Sequence, residues 1–137
     1  CFSEDMEEGF PGNLDVCITY ELTNKNSIRI KYEAVTDKAT PVNLTQHSYF
    51  NLSGCQTDIL GHIAEINADK YTEVDDEAIP TGQLPDVGGT PMDFTVPCTI
   101  GSRIDSVQGK GYDHNYVLDN EKGELKHAAC SFIQVIF

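Results

Sequence analysis

The stretch Pro41-Val42-Asn43-Leu44-Thr45-Gln46-His47-Ser48-Tyr49-Phe50-Asn51-Leu52-Ser53-Gly54 alternates once past its proline. Val42, Leu44, Gln46, Ser48, Phe50 and Leu52 share one parity, apolar at both ends. Asn43, Thr45, His47, Tyr49 and Asn51 share the other, and each carries a hydrogen-bonding group. Successive strand side chains point to opposite faces, so a strand here sets His47 in the middle of a wholly polar row. Packing that row against an apolar core would leave donors and acceptors unpaired, which is costly. The row therefore faces bulk water or a wet pocket. An aromatic ring, two amides, a hydroxyl and an imidazole suit a polar small molecule such as a sugar. From the pattern alone, an antiparallel strand with a solvated polar face is the commoner case.

Upstream of this stretch the chain alternates twice more. Leu14, Val16, Ile18, Tyr20 and Leu22 share a face, as do Ile28, Ile30, Tyr32 and Ala34. Between them Thr23-Asn24-Lys25-Asn26-Ser27 is rich in turn formers, so residues 14–22 and 28–36 are predicted as a hairpin of half-buried strands. Residues 1–13 are acidic and carry Gly9-Phe10-Pro11-Gly12-Asn13, the composition of a loop leading into a sheet. Downstream, residues 54–61 read as a loop, and residues 62–68 and 70–74 as short strands. Residues 79–97 hold four prolines and three glycines, too many for a regular element. They are predicted as a covering loop pinned to the core by Met92 and Phe94. A short helical turn is expected near residues 102–107, a turn at 119–123 and a last strand over 124–137. The apolar end of that strand is an unprotected edge. Many short strands separated by turns predict an all-β antiparallel β-sandwich.

Size and charge narrow the function. With 137 residues the chain is long enough for one domain with a core. Its formal charge of −13 repels phosphate backbones and anionic lipid, so neither nucleic acid nor a membrane is expected as a partner. No apolar run has the length of a membrane span. The five cysteines, Cys1, Cys17, Cys55, Cys98 and Cys130, are odd in number and widely spaced. That fits neither a disulfide framework nor a zinc site and suggests a reducing, cytoplasmic setting. Two glycosylation patterns, at Asn43 and Asn51, fall inside the polar stretch and are inert in that setting. The start at Cys1, without an initiator Met, suggests a cut product or a partial gene model.

Among the four histidines, His47 has the richest polar surroundings. Histidine exchanges protons near neutral pH without strong tuning. His62 reads as a strand-end or satisfied core histidine, and His127 has no polar constellation. Asp113 lies in Gly111-Tyr112-Asp113-His114-Asn115-Tyr116. A carboxylate among aromatics can accept hydrogen bonds from vicinal sugar hydroxyls, although the local sequence alone favours a surface-loop aspartate. His114 adjoins Asp113, but neighbours in a strand point apart. No phosphate-binding loop, nucleophile elbow or metal motif is present, so neither metal nor cofactor is expected.

These residues resemble the aldose 1-epimerases, or galactose mutarotases. The resemblance rests on Glu7-Glu8-Gly9-Phe10-Pro11-Gly12 before a Val-x-Ile-x-Tyr strand, on Pro41 to Gly54, and on Gly111 to Tyr116. The segment from Asp69 to Gly82 adds to it. It covers the chain to about Ala128 and implies a galactose mutarotase-like supersandwich, here incomplete. The whole of residues 1–137 is then a partial aldose 1-epimerase domain, with 129–137 a divergent or truncated end. The implied reaction interconverts the α and β anomers of hexoses such as galactose and glucose. It implies His47 as general acid on the ring oxygen and Asp113 as a substrate-binding carboxylate, with no cofactor.

The chain departs from the family in three ways. Gln46 stands where the family usually has Asn. The N-terminal part, with an arginine and a second histidine that contact sugar, has no counterpart. Nor does the C-terminal part with the catalytic glutamate, so the base is assigned to no residue and the chain alone is expected to be inactive. A non-catalytic sugar-binding module or truncated regulator is the alternative. A glycoside hydrolase would need two flanking carboxylates. A hexose-6-phosphate epimerase would need a basic clamp that nine Lys and Arg, none clustered near these motifs, do not form.

Overall fold

The computed structural model describes residues 1–118 and 125–133. They contain antiparallel strands and short 3₁₀ turns, with no α-helix among them. The chain divides into two compact units, Cys1–Ser48 and Tyr49–Phe137.

The first unit is a three-stranded antiparallel sheet in the order β1 (Phe2–Ser3), β2 (Leu14–Leu22), β3 (Ile28–Thr36). The predicted hairpin forms in full register, from Leu14 opposite Thr36 to Leu22 opposite Ile28. Its turn places Asn26 at φ 54°, a left-handed conformation that Asn tolerates better than most residues. The shared register gathers Val16, Ile18, Tyr20, Ile30 and Tyr32 on one face. That face is less covered than the alternation predicts: Tyr20 is 62% and Leu22 79% exposed. Alternation selects the apolar face, but burial also requires a second layer.

The composition of residues 1–13 predicts a loop, yet Phe2 and Ser3 pair with Asp15 and Leu14. The Cys1 ammonium extends this pairing by donating to the Val16 carbonyl at 2.8 Å. The loop back to β2 is closed by a polar clamp. Asp5 accepts the Gly12 N–H at 2.6 Å and the Lys38 ammonium at 2.7 Å. Asp37 accepts both the backbone N–H and the side-chain amide of Asn13, at 2.8 and 2.7 Å. Gly12 has φ 89°, and a Cβ there would lie 2.9 Å from the Cβ of Lys38. Only glycine fits that approach.

The second unit holds two small sheets. In one, β4 (Ile63–Ile66) lies between β6 (Cys98–Thr99) and β8 (Ala129–Phe132); in the other, β5 (Lys70–Tyr71) pairs with β7 (Tyr116–Val117). Strands predicted at 62–68 and 70–74 are present but shorter. Of the last strand, predicted over 124–137, Ala129–Phe132 is observed; residue 124 and residues 134–137, like the turn at 119–123, lie outside the described residues. The helical turn predicted near 102–107 is a run of 3₁₀ turns, at Ile100–Ser102, Ile104–Ser106 and Gln108–Lys110.

The core of this unit comes largely from the segments that join its strands. Met92 and Phe94 are buried, as predicted for the anchors of the proline-rich loop, together with Ala68, Val87 and Val107. Tyr71, Tyr112 and Tyr116 pack against the Val87, Met92 and Val107 cluster. The Phe94 and Tyr112 rings meet edge to face at 5.1 Å, and the Arg103 guanidinium sits 5.5 Å from the Phe94 ring centre. Both are favourable aromatic geometries.

Candidate functional site

The Pro41–Gly54 stretch does not form the strand that its alternation predicts. Residues 41–50 carry no ladder or turn assignment, and the boundary between the two units falls after Ser48. A β-strand is a pairing and not only a pattern: backbone groups must meet a neighbour's, and no described strand pairs with this one. His47 is exposed in the first unit. Beside it, the Gln46 amide donates to the Ser48 hydroxyl.

Within the second unit, the end of the stretch is a tightly bonded turn. Asn51 Oδ1 accepts from the Ser53 N–H at 2.9 Å and from the Ser53 hydroxyl at 2.6 Å. Asn51 Nδ2 donates to the Thr57 carbonyl at 2.7 Å. Asn51, predicted as part of the polar row, thus uses both ends of its amide inside this turn. The Leu52 N–H donates to Nε2 of His62 at 2.9 Å. His62 is the satisfied core histidine that its sequence suggests.

The second predicted segment is built on β7. Tyr71 pairs with Tyr116, and the Thr72 N–H donates to the Asn115 carbonyl at 2.9 Å. Two phenols fasten the segment: Tyr112 donates to the Pro91 carbonyl at 3.2 Å and Tyr116 to the Met92 carbonyl at 2.9 Å. Burial pushes both phenols above their ordinary pKa, Tyr116 strongly, so each stays protonated and able to donate. The sequence motifs do not mark these anchors as such. Their signal was the pair of tyrosines around Asp113, because a buried phenol needs an acceptor.

Between the anchors, Asp113 is exposed, while His114 is half-buried with its ring edge-on to Tyr71 at 5.8 Å. His114 Nδ1 is buried without a hydrogen-bond partner among the described residues. A hollow of about 380 Å³ is lined by Asp113, His114, Tyr112, Gln108, Asp75 and Asp76, among others. Asp76 accepts from the Gln108 amide at 2.9 Å, and Asp75 accepts two N–H groups of its own turn, from Glu77 and Ile79. The acidic run at residues 75–77 is an exposed loop edge. Asp113 keeps a carboxylate facing solvent, able to accept hydrogen bonds from hydroxyl groups.

Among the described residues, no group of three or more His, Cys, Asp or Glu side chains could hold a metal ion. All five cysteines are free thiols. None of the described helices is long and apolar enough to cross a membrane.

Comparison with known proteins adds a family to this geometry. Residues 1–133 match the family model described as aldose 1-epimerase. The aldose 1-epimerase of Escherichia coli is 44% identical over 131 residues, which cover 93% of this chain and 38% of that protein. The human galactose mutarotase is 40% identical over 141 residues, covering 98% of this chain and 41% of the human protein. The chain thus spans well under half the length of these relatives. The crystal structure of a galactose 1-epimerase from Lactobacillus acidophilus superposes with a TM-score of 0.84 at 32% identity, over 96% of this chain and 39% of that one. The crystal structure of an aldose epimerase homologue from C. elegans, 23% identical to this chain, shares the fold at a TM-score of 0.78, over 96% of this chain and 40% of that one.

Proposed function

The chain belongs to the aldose 1-epimerase family, and we propose on that premise that His47 and Asp113 are its acid and its sugar-binding carboxylate. The family match supports this reading because it runs over residues 1–133 and so takes in both segments.

The chemistry needs two proton transfers. A base removes the proton from the C1 hydroxyl of the hexose while the C1–O5 bond breaks, and an acid delivers a proton to O5. The open aldehyde turns about C1–C2, and the two transfers reverse as O5 attacks the other face. No atom is gained or lost, and placing acid and base on either side of the ring lowers the barrier. His47 is the group that protonates O5, and Asp113 holds the ring by accepting from its hydroxyls. None of the carboxylates here lies in the family's glutamate motif, so the base is assigned to no residue and the chain alone does not complete the cycle. Its substrates are hexoses such as galactose and glucose. Five free thiols suit a reducing compartment such as the cytoplasm.

Polarimetry and ligand-observed NMR on freshly dissolved galactose test this together. The isolated chain should contact the sugar, lose that contact in Asp113→Ala, and leave anomer exchange at its spontaneous rate. In a full-length parent protein, His47→Ala should cut the rate of anomer exchange by orders of magnitude; an unchanged rate there would remove the acid role from His47. Binding unchanged in Asp113→Ala would remove the carboxylate role from Asp113.

A further inference from the structure

From Tyr112 to Tyr116 the residues alternate in exposure. Tyr112, His114 and Tyr116 are half-buried, and Asp113 and Asn115 are exposed, the pattern of an extended segment held by one face. The held face is aromatic throughout. Tyr112 meets the Phe94 ring edge to face at 5.1 Å, and His114 meets Tyr71 in the same way at 5.8 Å. Tyr116 packs against the Val87, Met92 and Val107 cluster. Asp113 lies on the other face and lines the hollow described above.

The two phenols add direction to this packing. Tyr112 and Tyr116 are four residues apart, roughly 13 Å in an extended chain at about 3.3 Å per residue. Their hydroxyls nevertheless donate to the carbonyls of two consecutive residues, Pro91 at 3.2 Å and Met92 at 2.9 Å. The rings therefore converge from either side of Asp113 onto one place in the proline-rich loop. A single attachment would let the segment pivot, whereas two, one at each end, brace it. That place is itself fixed. The Pro91 ring restricts its φ. The Met92 N–H donates to the Thr90 hydroxyl at 3.1 Å, and that hydroxyl donates to the Val87 carbonyl at 2.6 Å. The Val87 N–H donates in turn to the Asp69 carbonyl at 2.8 Å. Phenylalanine would serve the packing at both positions; only the hydroxyls supply the brace.

We infer that Tyr112 and Tyr116 are positioning residues for Asp113: braced on Pro91 and Met92, they fix the backbone on either side of it and so aim its carboxylate. Every residue of the brace belongs to the unit Tyr49–Phe137. The sugar half of this statement rests on the reading of Asp113 given above; the brace stands independently of it.

Nitrogen-15 NMR of the whole 137-residue chain, with and without galactose, tests both halves. The variants are Tyr112→Phe, Tyr116→Phe and the two combined, each keeping the ring and removing only the hydroxyl. Gly101→Ala is the control, because it crowds Leu60 in the same unit and leaves both phenols in place. Without sugar, the order parameter of the Asp113 amide should fall below the rigid value of about 0.85 in the combined variant, while amides of β4 keep theirs. With galactose, affinity should fall about tenfold in the combined variant, the loss of roughly one sugar hydrogen bond, and less in each single one. Gly101→Ala should lose stability and keep its affinity. An Asp113 amide as ordered in the combined variant as in the unsubstituted chain overturns the brace. Affinity that is unchanged by the combined variant, or that falls as far in Gly101→Ala, overturns the positioning role. If the combined variant does not fold, the two single variants decide by the same two measurements. The proposed function fails separately: affinity indifferent to Asp113→Ala removes the sugar from Asp113, and with it the sugar half of the inference, while the order of the Asp113 amide still decides the brace.

Discussion

The Tyr116 hydroxyl donates to the Met92 carbonyl at 2.9 Å, tying β7 to the proline-rich loop whose anchor is Met92 itself. Tyr116→Phe leaves a half-buried carbonyl unpaired and is expected to cost about 1–2 kcal/mol. The unfolding midpoint in urea measures this, and an unchanged midpoint would mean the bond contributes nothing. Burial raises the Tyr116 pKa well above its ordinary 10.0. The unfolded phenol ionises first as pH rises, so the stability this tyrosine contributes is complete below pH 10.0 and is lost as pH rises through the folded pKa. Tyr116→Phe should flatten that alkaline decline.

Asp5 and Asp37 respond to the opposite end of the pH scale. The Lys38 ammonium and then the Gly12 N–H lower the Asp5 pKa below 3.8, and the Asn13 side chain and then its backbone lower that of Asp37. A depressed carboxylate contributes its stability above the unfolded pKa and loses it as pH falls through the folded one. Lys38, raised above 10.5 chiefly by Asp5, contributes below 10.5 and loses its effect as pH climbs through its folded value. The clamp should hold across neutral pH and open below about pH 3.8. Exchange of the Gly12 and Asn13 amides with falling pH, corrected for intrinsic rates, should show the opening. In Asp5→Asn the Gly12 amide should already exchange faster at neutral pH. If its protection there matches that of the unsubstituted chain, the clamp is not what closes this loop.

Gly101 and Gly88 separate a required glycine from a tolerated one. A Cβ on Gly101 would lie 2.9 Å from the Leu60 Cβ and 3.1 Å from its carbonyl oxygen, whereas one on Gly88 meets nothing within 4 Å. Gly101 also donates its N–H to the Leu60 carbonyl at 2.8 Å, so the two segments cannot part without losing a bond. Gly101→Ala should therefore destabilise by about 1–3 kcal/mol. Gly88→Ala should stay within about 0.5 kcal/mol of the unsubstituted chain. Equal melting temperatures for the two variants would contradict the crowding at Leu60.

The sequence pattern was most informative where structure is local. Alternation flanking a turn-rich pentapeptide located both strands of the Leu14–Thr36 hairpin to the residue, because a hairpin's partner is its own neighbour in sequence. Pro41–Gly54 alternates as cleanly, yet no strand forms, because its pattern does not name a partner. The two-residue β1 was too short to show periodicity and depends on Leu14 and Asp15 for its existence. At the candidate site, the residue types of His47 and Asp113 could be read directly. The seat of Leu52 on His62 and the phenol anchors on Pro91 and Met92 could not, since each joins a side chain to a backbone group far along the chain, and a backbone group carries no residue-specific signal.

The apolar face of the hairpin carries the last prediction. Ile18, Tyr20, Leu22 and Ile28 lie together on it, and their exposures run from 44% to 79%, so removing one of them takes little from the folded unit. Leu22→Ser should change stability by no more than about 0.5 kcal/mol. An exposed apolar patch on a sheet nonetheless favours association, even in a chain of charge −13, and more so as salt screens that charge. Sedimentation velocity should therefore show a concentration-dependent increase in mass that grows with ionic strength. Leu22→Ser combined with Ile28→Lys should suppress it. A sharp monomer at every concentration and salt, with or without the substitutions, would show that this face does not self-associate.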